Sequence, residues 1–336
     1  VYLEPIRSHR RGNILVDAPP QGREPTGHFR TTVGMISDSR SQDNWACGHA
    51  KIFHDHLEEI IQRAGIRENN KDIRVCWRDG FVLYHEPTLA AYHSGTYRQR
   101  GTIHHKKGTL AYERAKGAVE VEKLGVCLKF LYDRWWKSYY EIIKRKPQRF
   151  RDKIGKCVWR GVTTGDPRRA GNRFDLVEKW KGKSDLIDVG FNKIAESYNN
   201  ACHHRNGQCP ERARPEHIKA NLVAPMVGWA NHKYIISSPG NMNESGLSWK
   251  LASNSVIIMP KPCIYTWLLE SKLVDGRHFI QVKGDWSDLE EKIQWCEENQ
   301  DKCEEIANNA REFAMQFSDI KNENLLEDKV LHEYMK

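Results

Sequence analysis

No stretch of this 336-residue chain approaches the roughly eighteen consecutive apolar residues that a membrane-crossing helix needs, so no transmembrane span is expected. It has no internal repeat and no low-complexity tract, which excludes solenoid and collagen-like architectures. Cysteine-histidine clusters are scarce. The nearest approach to one, Cys202-His203-His204 to Cys209, fits no common zinc spacing and suits a loop disulfide or a plain polar loop as well. There is no Asp-x-Asp triplet and no signal-peptide apolar region. The chain begins with Val1 rather than Met, so a leader or anchor can precede this segment. The expected compartment is the secretory lumen (ER or Golgi) if one does, and the cytoplasm otherwise.

What is present points to a folded protein. Apolar residues make up 39% of the chain, with 11 Trp, 12 Tyr and 10 Phe, enough to bury cores and to disfavour disorder. The length suits two domains. The formal charge of +9 is compatible with nucleic-acid binding, with peripheral attraction to an anionic membrane or glycan surface, or with a basic exterior around a diphosphate site. Lys and Arg are spread along the chain rather than gathered in an aromatic-basic block, so no nucleic-acid partner is expected. The densest basic stretch, Lys144 to Lys153, reads as an exposed linker between domains 1–150 and 151–318, with 319–336 as a tail. Nine cysteines is an odd number, so at least one is free or bonded outside the chain. Cys296 and Cys303, seven apart on one predicted helix, share a face but are too far apart to bridge each other.

Along the first half, Ile14 to Val16 reads as a strand and His49 to Gly65 as a helix ended by glycine. Ile73 to Trp77 is a strand ending at Arg78-Asp79-Gly80, and Phe81 to Tyr84 is another candidate. Residues 93–110 read as a loop of lid length. Ala111 to Ile143 reads as one or two helices whose aromatic stripe, including Trp136, Tyr139 and Tyr140, is a packing face.

In the second half the order becomes specific. A strand, Lys233 to Ile236, runs into a small-residue loop, Pro239 to Gly246, then a helix, Leu247 to Ser253, then a strand, Val256 to Met259. That is the grammar of a nucleotide-binding β-loop-α-β unit, in which backbone N–H groups and a helix start face a phosphate. A third extended run, His278 to Lys283, leads to Asp285-Trp286-Ser287-Asp288-Leu289, read as a helix start with Ser287 or Asp285 as cap, and then to two helices over Glu290 to Phe317.

These pieces carry a family resemblance. Lys233-Tyr234, Gly240-Asn241, Ser245, Trp249 to Ser255, Tyr265-Thr266-Trp267, His278 to Lys283, Asp285 to Leu289 and Ala307 to Phe313 resemble the C-terminal half of glycosyltransferase family 90. Upstream, Trp159 to Gly165 followed by Asn172-Arg173-Phe174 resembles that family's aromatic-Arg-Gly loop. The resemblance covers residues 155–318 and implies a GT-B architecture: α/β, two Rossmann-like domains facing across a cleft. It also implies inverting transfer of a sugar, glucose or xylose, from a UDP-sugar to a hydroxyl of a glycan or glycoprotein acceptor. No cofactor beyond the donor is implied.

Such transfer needs stabilisation of the departing diphosphate and a base for the acceptor hydroxyl. Arg160 takes the family's diphosphate-contacting role, with Gly161, Thr164, Gly165 and Arg173 on the same loop. Gly240, Asn241, Asn243, Glu244, Ser245, Gly246, Leu247 and Lys250 line the other side. Gly246 stands where the eukaryotic O-glucosyltransferases carry a phosphate-binding arginine, and the Gly-Leu version matches bacterial-type members. Phosphate neutralisation then falls to Arg160, helped by Arg173, Lys250 or Arg168-Arg169. Without Asp-x-Asp, transfer is expected to be metal-independent. Asp79, at a strand end and in an Arg-Asp pair like that of the O-glucosyltransferases, is the expected base, with His54, His104 and His105 as rivals. Asn243-Glu244-Ser245 is formally a glycosylation sequon, read as accidental because a glycan there would block the loop. The alternatives are a non-catalytic nucleotide- or glycan-binding module of the same fold and a nucleotide-dependent sulfotransferase.

Overall fold

The structure, a computed structural model, describes residues 13–16, 29–32, 56–66, 73–76, 88–90, 92–94, 125–127, 129, 136–165, 169–193, 225–240, 244–262 and 264–335. The chain forms two compact units. The first comprises Val1–Tyr132, Cys263–Leu269 and Asp319–Lys336, and the second Asp133–Pro262 and Glu270–Ser318. Each carries a five-stranded, mainly parallel sheet, the α/β class expected.

In the first unit the strands are β1 (Asn13–Val16), β2 (Phe29–Thr32), β3 (Ile73–Cys76), β4 (Thr88–Ala90) and β6 (Gly125–Cys127). Their order is β2-β1-β3-β4-β6, with β2 antiparallel at one edge and the other pairings parallel. β6 corrects the helical reading of Ala111 to Ile143. Its Gly125 is a poor helix residue, and the short apolar run that follows pairs with β4 instead. β5 (Tyr92–Ser94) pairs antiparallel with β11 (Ile264–Thr266). Helix α1 covers 56–63 and stops at Gly65, whose φ is +64°.

Residues 319–336 rejoin this unit. They form α8 (Ile320–Tyr334), capped by Asp319, which accepts from the N–H groups of Lys321 and Asn322. α8 buries two carboxylates. Glu323 receives Lys129 Nζ at 2.9 Å and Trp267 Nε1 at 2.7 Å. Glu327 receives the Lys129 N–H at 2.9 Å and pairs with His56 and Arg63. Burial lowers the Lys129 pKa while Glu323 opposes the shift, so removing Glu323 would strand a buried cation.

The second sheet is built from β7 (Ile154–Val162), β8 (Ile187–Lys193), β9 (His232–Ile236), β10 (Val256–Met259) and β12 (Ile280–Gln281), all parallel, in the order β8-β7-β9-β10-β12. Tyr234, Ile235 and Ile236 of β9 and all of β10 are buried, the continuous apolar run of a parallel strand covered on both faces. β12 is shorter than the extended run read over His278 to Lys283. Strand order reverses between β7 and β9. In open α/β sheets ligands bind at such a reversal, outside the C-terminal strand ends.

α3 (Arg173–Trp180) follows β7, and α5 (Leu247–Ala252) follows β9, with α2 (Lys137–Ile143) before β7 and α4 (Pro225–Ala230) before β9. The aromatic stripe of α2 is packing, as read: Tyr139 and Tyr140 are buried and donate to the carbonyls of Ala314 and Phe317. α6 (Leu289–Glu298) and α7 (Gln300–Met315) bury Leu289, Ile293, Cys296, Cys303, Ile306, Ala307, Ala310 and Ala314. Asn299, at φ −120° and ψ 52°, breaks the two helices apart. The single-helix reading of Cys296 and Cys303 is therefore corrected. They lie on successive helices, the Cys303 thiol 3.6 Å from the Cys296 carbonyl oxygen, and both are free.

Candidate functional site

β7 sets the site by alternation. Trp159 and Gly161 are two residues apart and so share a face of the strand. The Trp159 ring fills the space beside Gly161, where a Cβ would lie 2.4 Å from ring carbon Cζ2. The guanidinium carbon of Arg173, the first residue of α3, lies 5.7 Å from the centroid of that ring. Arg173 Nη1 donates to Val162 O at 3.1 Å and Thr164 Oγ1 at 2.6 Å, and Nη2 to Ser238 O at 3.4 Å. Gly240 closes the other side, since a Cβ there would stand 3.0 Å from Arg173 Nη2. Arg169, buried, donates from Nη1 to Gly240 O at 3.3 Å.

The loops after β7 and β9 thus meet backbone to backbone. Gly165 has φ +107°, and a Cβ on it would lie 2.8 Å from Gly240 O. Only glycine meets both demands. Thr164, Gly165, Arg173 and Gly240 are brought together at the strand-order reversal.

Arg160 is placed elsewhere. It points from the opposite face of β7 to Trp159, is 4% exposed, and donates from Nη2 to Asp188 Oδ1 at 2.7 Å and from Nη1 to the carbonyls of Trp159 and Asp188. Asp188 is in register with Val158, so the guanidinium lies back along the strand, away from its C-terminal end. Strand alternation is the physical reason that a loop role read for Arg160 belongs to a buried pair.

Lys250 is fully buried. Its Nζ pairs with Glu244, donates to Ile236 O at 2.8 Å, and lies 4.8 Å from the Trp229 ring centroid. Burial pushes its pKa down. Glu244 opposes that shift, and Arg173 adds to it. Lys250 and Arg173 thus feel each other's charge, and the Glu244 carboxylate offsets that of Lys250.

Gly246 is the N-cap of α5, and a Cβ there would stand 2.7 Å from Trp249 Nε1. That close approach explains glycine at the position. Leu247 is buried, and α5, with six residues, has little macrodipole to offer. Ser245 is half-buried in the turn before it. Asn241, Asn243, Asp79, His54, His104 and His105 lie outside the described residues.

The sequence reading missed Trp159 as a support and Ser238 as a brace, whose Oγ donates to Gly171 O at 2.8 Å. The Trp-x-Gly spacing on one strand face was the available signal for the first. For Ser238 no sequence signal exists.

The pattern described as Glycosyl transferase family 90 matches residues 129–336. O-glucosyltransferase LpsA of Dichelobacter nodosus is 31% identical over 182 residues, 54% of this chain and 49% of that protein. Protein O-glucosyltransferase 2 of Danio rerio is 25% identical over 162 residues, 48% of this chain and 29% of that one. The chain thus spans about half, or less, of the length of these curated relatives. Among solved structures, Anabaena HepE in complex with UDP-glucose is similar at 13% identity and a TM-score of 0.40, over 66% of this chain and 61% of that one.

Proposed function

The chain belongs to glycosyl transferase family 90, and from that premise we propose that it transfers a sugar, glucose or xylose, from a UDP-sugar to a hydroxyl of a glycan or protein acceptor. The diphosphate lies at the β7/β9 reversal, against Arg173 and Arg169 and the glycine-lined loops of Thr164-Gly165 and Gly240. The observation that carries this reading is the fixed guanidinium of Arg173, braced by Trp159, Thr164 and Ser238 at the C-terminal strand ends. In the reaction the acceptor oxygen attacks the anomeric carbon, a base takes its proton, and the anomeric bond's electron pair leaves with UDP. The arginines stabilise the charge developing on the diphosphate.

Displacement in one step inverts the anomeric centre. Asp79, three residues beyond the end of β3, is the base in this reading. Transfer proceeds without a divalent ion, the cations at the strand ends taking its place. The glucosyl preference draws support from the relative named as an O-glucosyltransferase.

The test is turnover of UDP-glucose and UDP-xylose in EDTA, with the product's anomeric configuration read by NMR. The expected product is the β-glycoside of an α-linked donor. An α product would overturn inversion, and loss of activity in EDTA restored by magnesium or manganese would overturn metal independence. Binding of adenosine 3′,5′-bisphosphate in preference to UDP would favour a sulfotransferase instead.

A further inference from the structure

The segment after β12 is not a simple helix start. α6 begins at Leu289 with no side-chain cap; Asp288 accepts the Lys283 N–H at 2.8 Å, and Asp285 accepts from the Ser287 N–H and hydroxyl. Between them Trp286 is fully buried with φ +61°, a left-handed conformation uncommon for a bulky side chain. Such strain persists only where its surroundings over-determine it, and it is concentrated at functional sites.

The contacts of Trp286 lead to the donor-site turn. Its Nε1 donates to Asn172 O at 2.9 Å, and its own carbonyl receives Trp180 Nε1 at 2.8 Å. Beside it, Gly284 O accepts the Gly171 N–H, and a Cβ on Gly284 would lie 2.6 Å from Ala170 Cβ. The turn 169–172 is held on its other side by Ser238 and by Pro260, whose Cγ would lie 2.4 Å from a Cβ on Gly171. Asn172 caps α3 by accepting the Asp175 N–H, and its amide donates to Arg169 O. This one turn therefore sets the separation of Arg169, at its start, from Arg173, immediately after it.

We propose that Trp286 is a positioning residue for the diphosphate-binding arginines: its indole N–H and left-handed backbone fix the 169–172 turn so that Arg169 and Arg173 converge on one anion. The inference rests on the donor-site reading above and extends it to a loop remote in sequence.

The test compares UDP and uridine binding, by calorimetry and ligand-observed NMR, in the whole chain and in Trp286→Phe, which keeps an aromatic ring but loses the N–H. Losing one buried hydrogen bond weakens UDP up to about tenfold. Uridine, lacking phosphates, is expected to bind unchanged, so the UDP-to-uridine ratio falls. A merely structural tryptophan would weaken both ligands together or neither, and either result overturns the inference. In the Arg173→Ala background Trp286→Phe is expected to add less than it does alone. If Trp286→Phe does not fold, Trp180→Phe, which removes the bond to the Trp286 carbonyl, takes its place with the same expected fall in ratio. Wild-type chain that binds neither UDP nor inorganic pyrophosphate overturns the donor reading and this inference with it. UDP binding that is lost in Arg173→Ala but intact in Trp286→Phe overturns the inference alone.

Discussion

At the C-terminal ends of β7, β9 and β12 the chain meets itself backbone to backbone; at the N-terminal ends of β7, β9 and β10 side chains fill the gaps. The first edge has glycine at Gly165, Gly171, Gly240 and Gly284, each with a neighbour where a Cβ would be. The second has Lys153, buried, its Nζ donating to Ser253 O at 2.8 Å and Ser255 Oγ at 2.7 Å, with Ser255 Oγ in turn donating to His232 O. Both edges bury a lysine, with different partners. Lys250 is paired with Glu244 and sits near Arg173, whereas Lys153 is held by neutral oxygens and pushed down to about 7 by burial, with Arg311 adding to the shift. In the reading proposed above, one edge receives an anion. The other only closes the sheet, and its lysine is a cost the fold carries.

Substitutions at the two edges should therefore have separable effects. The largest is expected for Gly165→Ala. It places a Cβ 2.8 Å from a backbone oxygen in a left-handed conformation, destabilising by about 2 to 3 kcal/mol in thermal or urea unfolding and abolishing UDP binding. Next, Lys153→Ala leaves two buried acceptors without a donor. It should cost about 1 to 3 kcal/mol in urea unfolding with UDP affinity unchanged; a parallel loss of affinity would break the distinction between the edges.

The third effect is on pH dependence. Lys153 binds its proton less tightly in the folded state, at about 7, than in the unfolded chain, so the unfolded state holds more protons above that pH. Stability should rise from pH 7 to roughly 8.5, by at most about 1.4 kcal/mol per pH unit, and Lys153→Met should flatten the rise. At higher pH the buried Cys157 thiol, its pKa raised by burial, works in the opposite direction because the unfolded thiol ionises first. Smallest is Ser238→Ala, which removes one neutral hydrogen bond to the 169–172 turn and should weaken UDP by a few-fold, read by calorimetry.

Much of the second unit was legible in the sequence. β9, α5 and β10 fall within a residue or two of the strand-loop-helix-strand reading, because apolar runs and small-residue loops are local signals. Thr164, Gly165 and Gly240 were legible as loop members, and Gly165 and Gly240 are glycine for reasons of close approach; Arg173, read onto the same loop, is the first residue of α3. What misled was geometry that sequence does not display. Arg160 follows Trp159 directly and so faces the other side of the strand, toward an aspartate 28 residues away. Lys250 sits one turn into a helix that is buried throughout, so its cation points into a tryptophan and carboxylate cage. Asn299 ends one helix and starts another within a polar run that has no proline or glycine to mark it. In the first unit, β6 lay inside a stretch whose periodicity suited a helix, and pairing with β4 decided otherwise. The clamp by Trp286 joins residues 114 positions apart, beyond the reach of local pattern.

The most direct test of the account is calorimetry of UDP with the wild-type chain, Arg173→Ala and Arg160→Ala, in EDTA. The account predicts binding by the wild type and a loss of about tenfold to a hundredfold in the folded fraction of Arg173→Ala, since a charge-assisted contact to phosphate is worth about 1.5 to 3 kcal/mol. Arg160→Ala should lower stability through the stranded Asp188 while the folded fraction still binds UDP. Binding that survives in Arg173→Ala and disappears in folded Arg160→Ala would contradict it, and would return the diphosphate to the other face of β7.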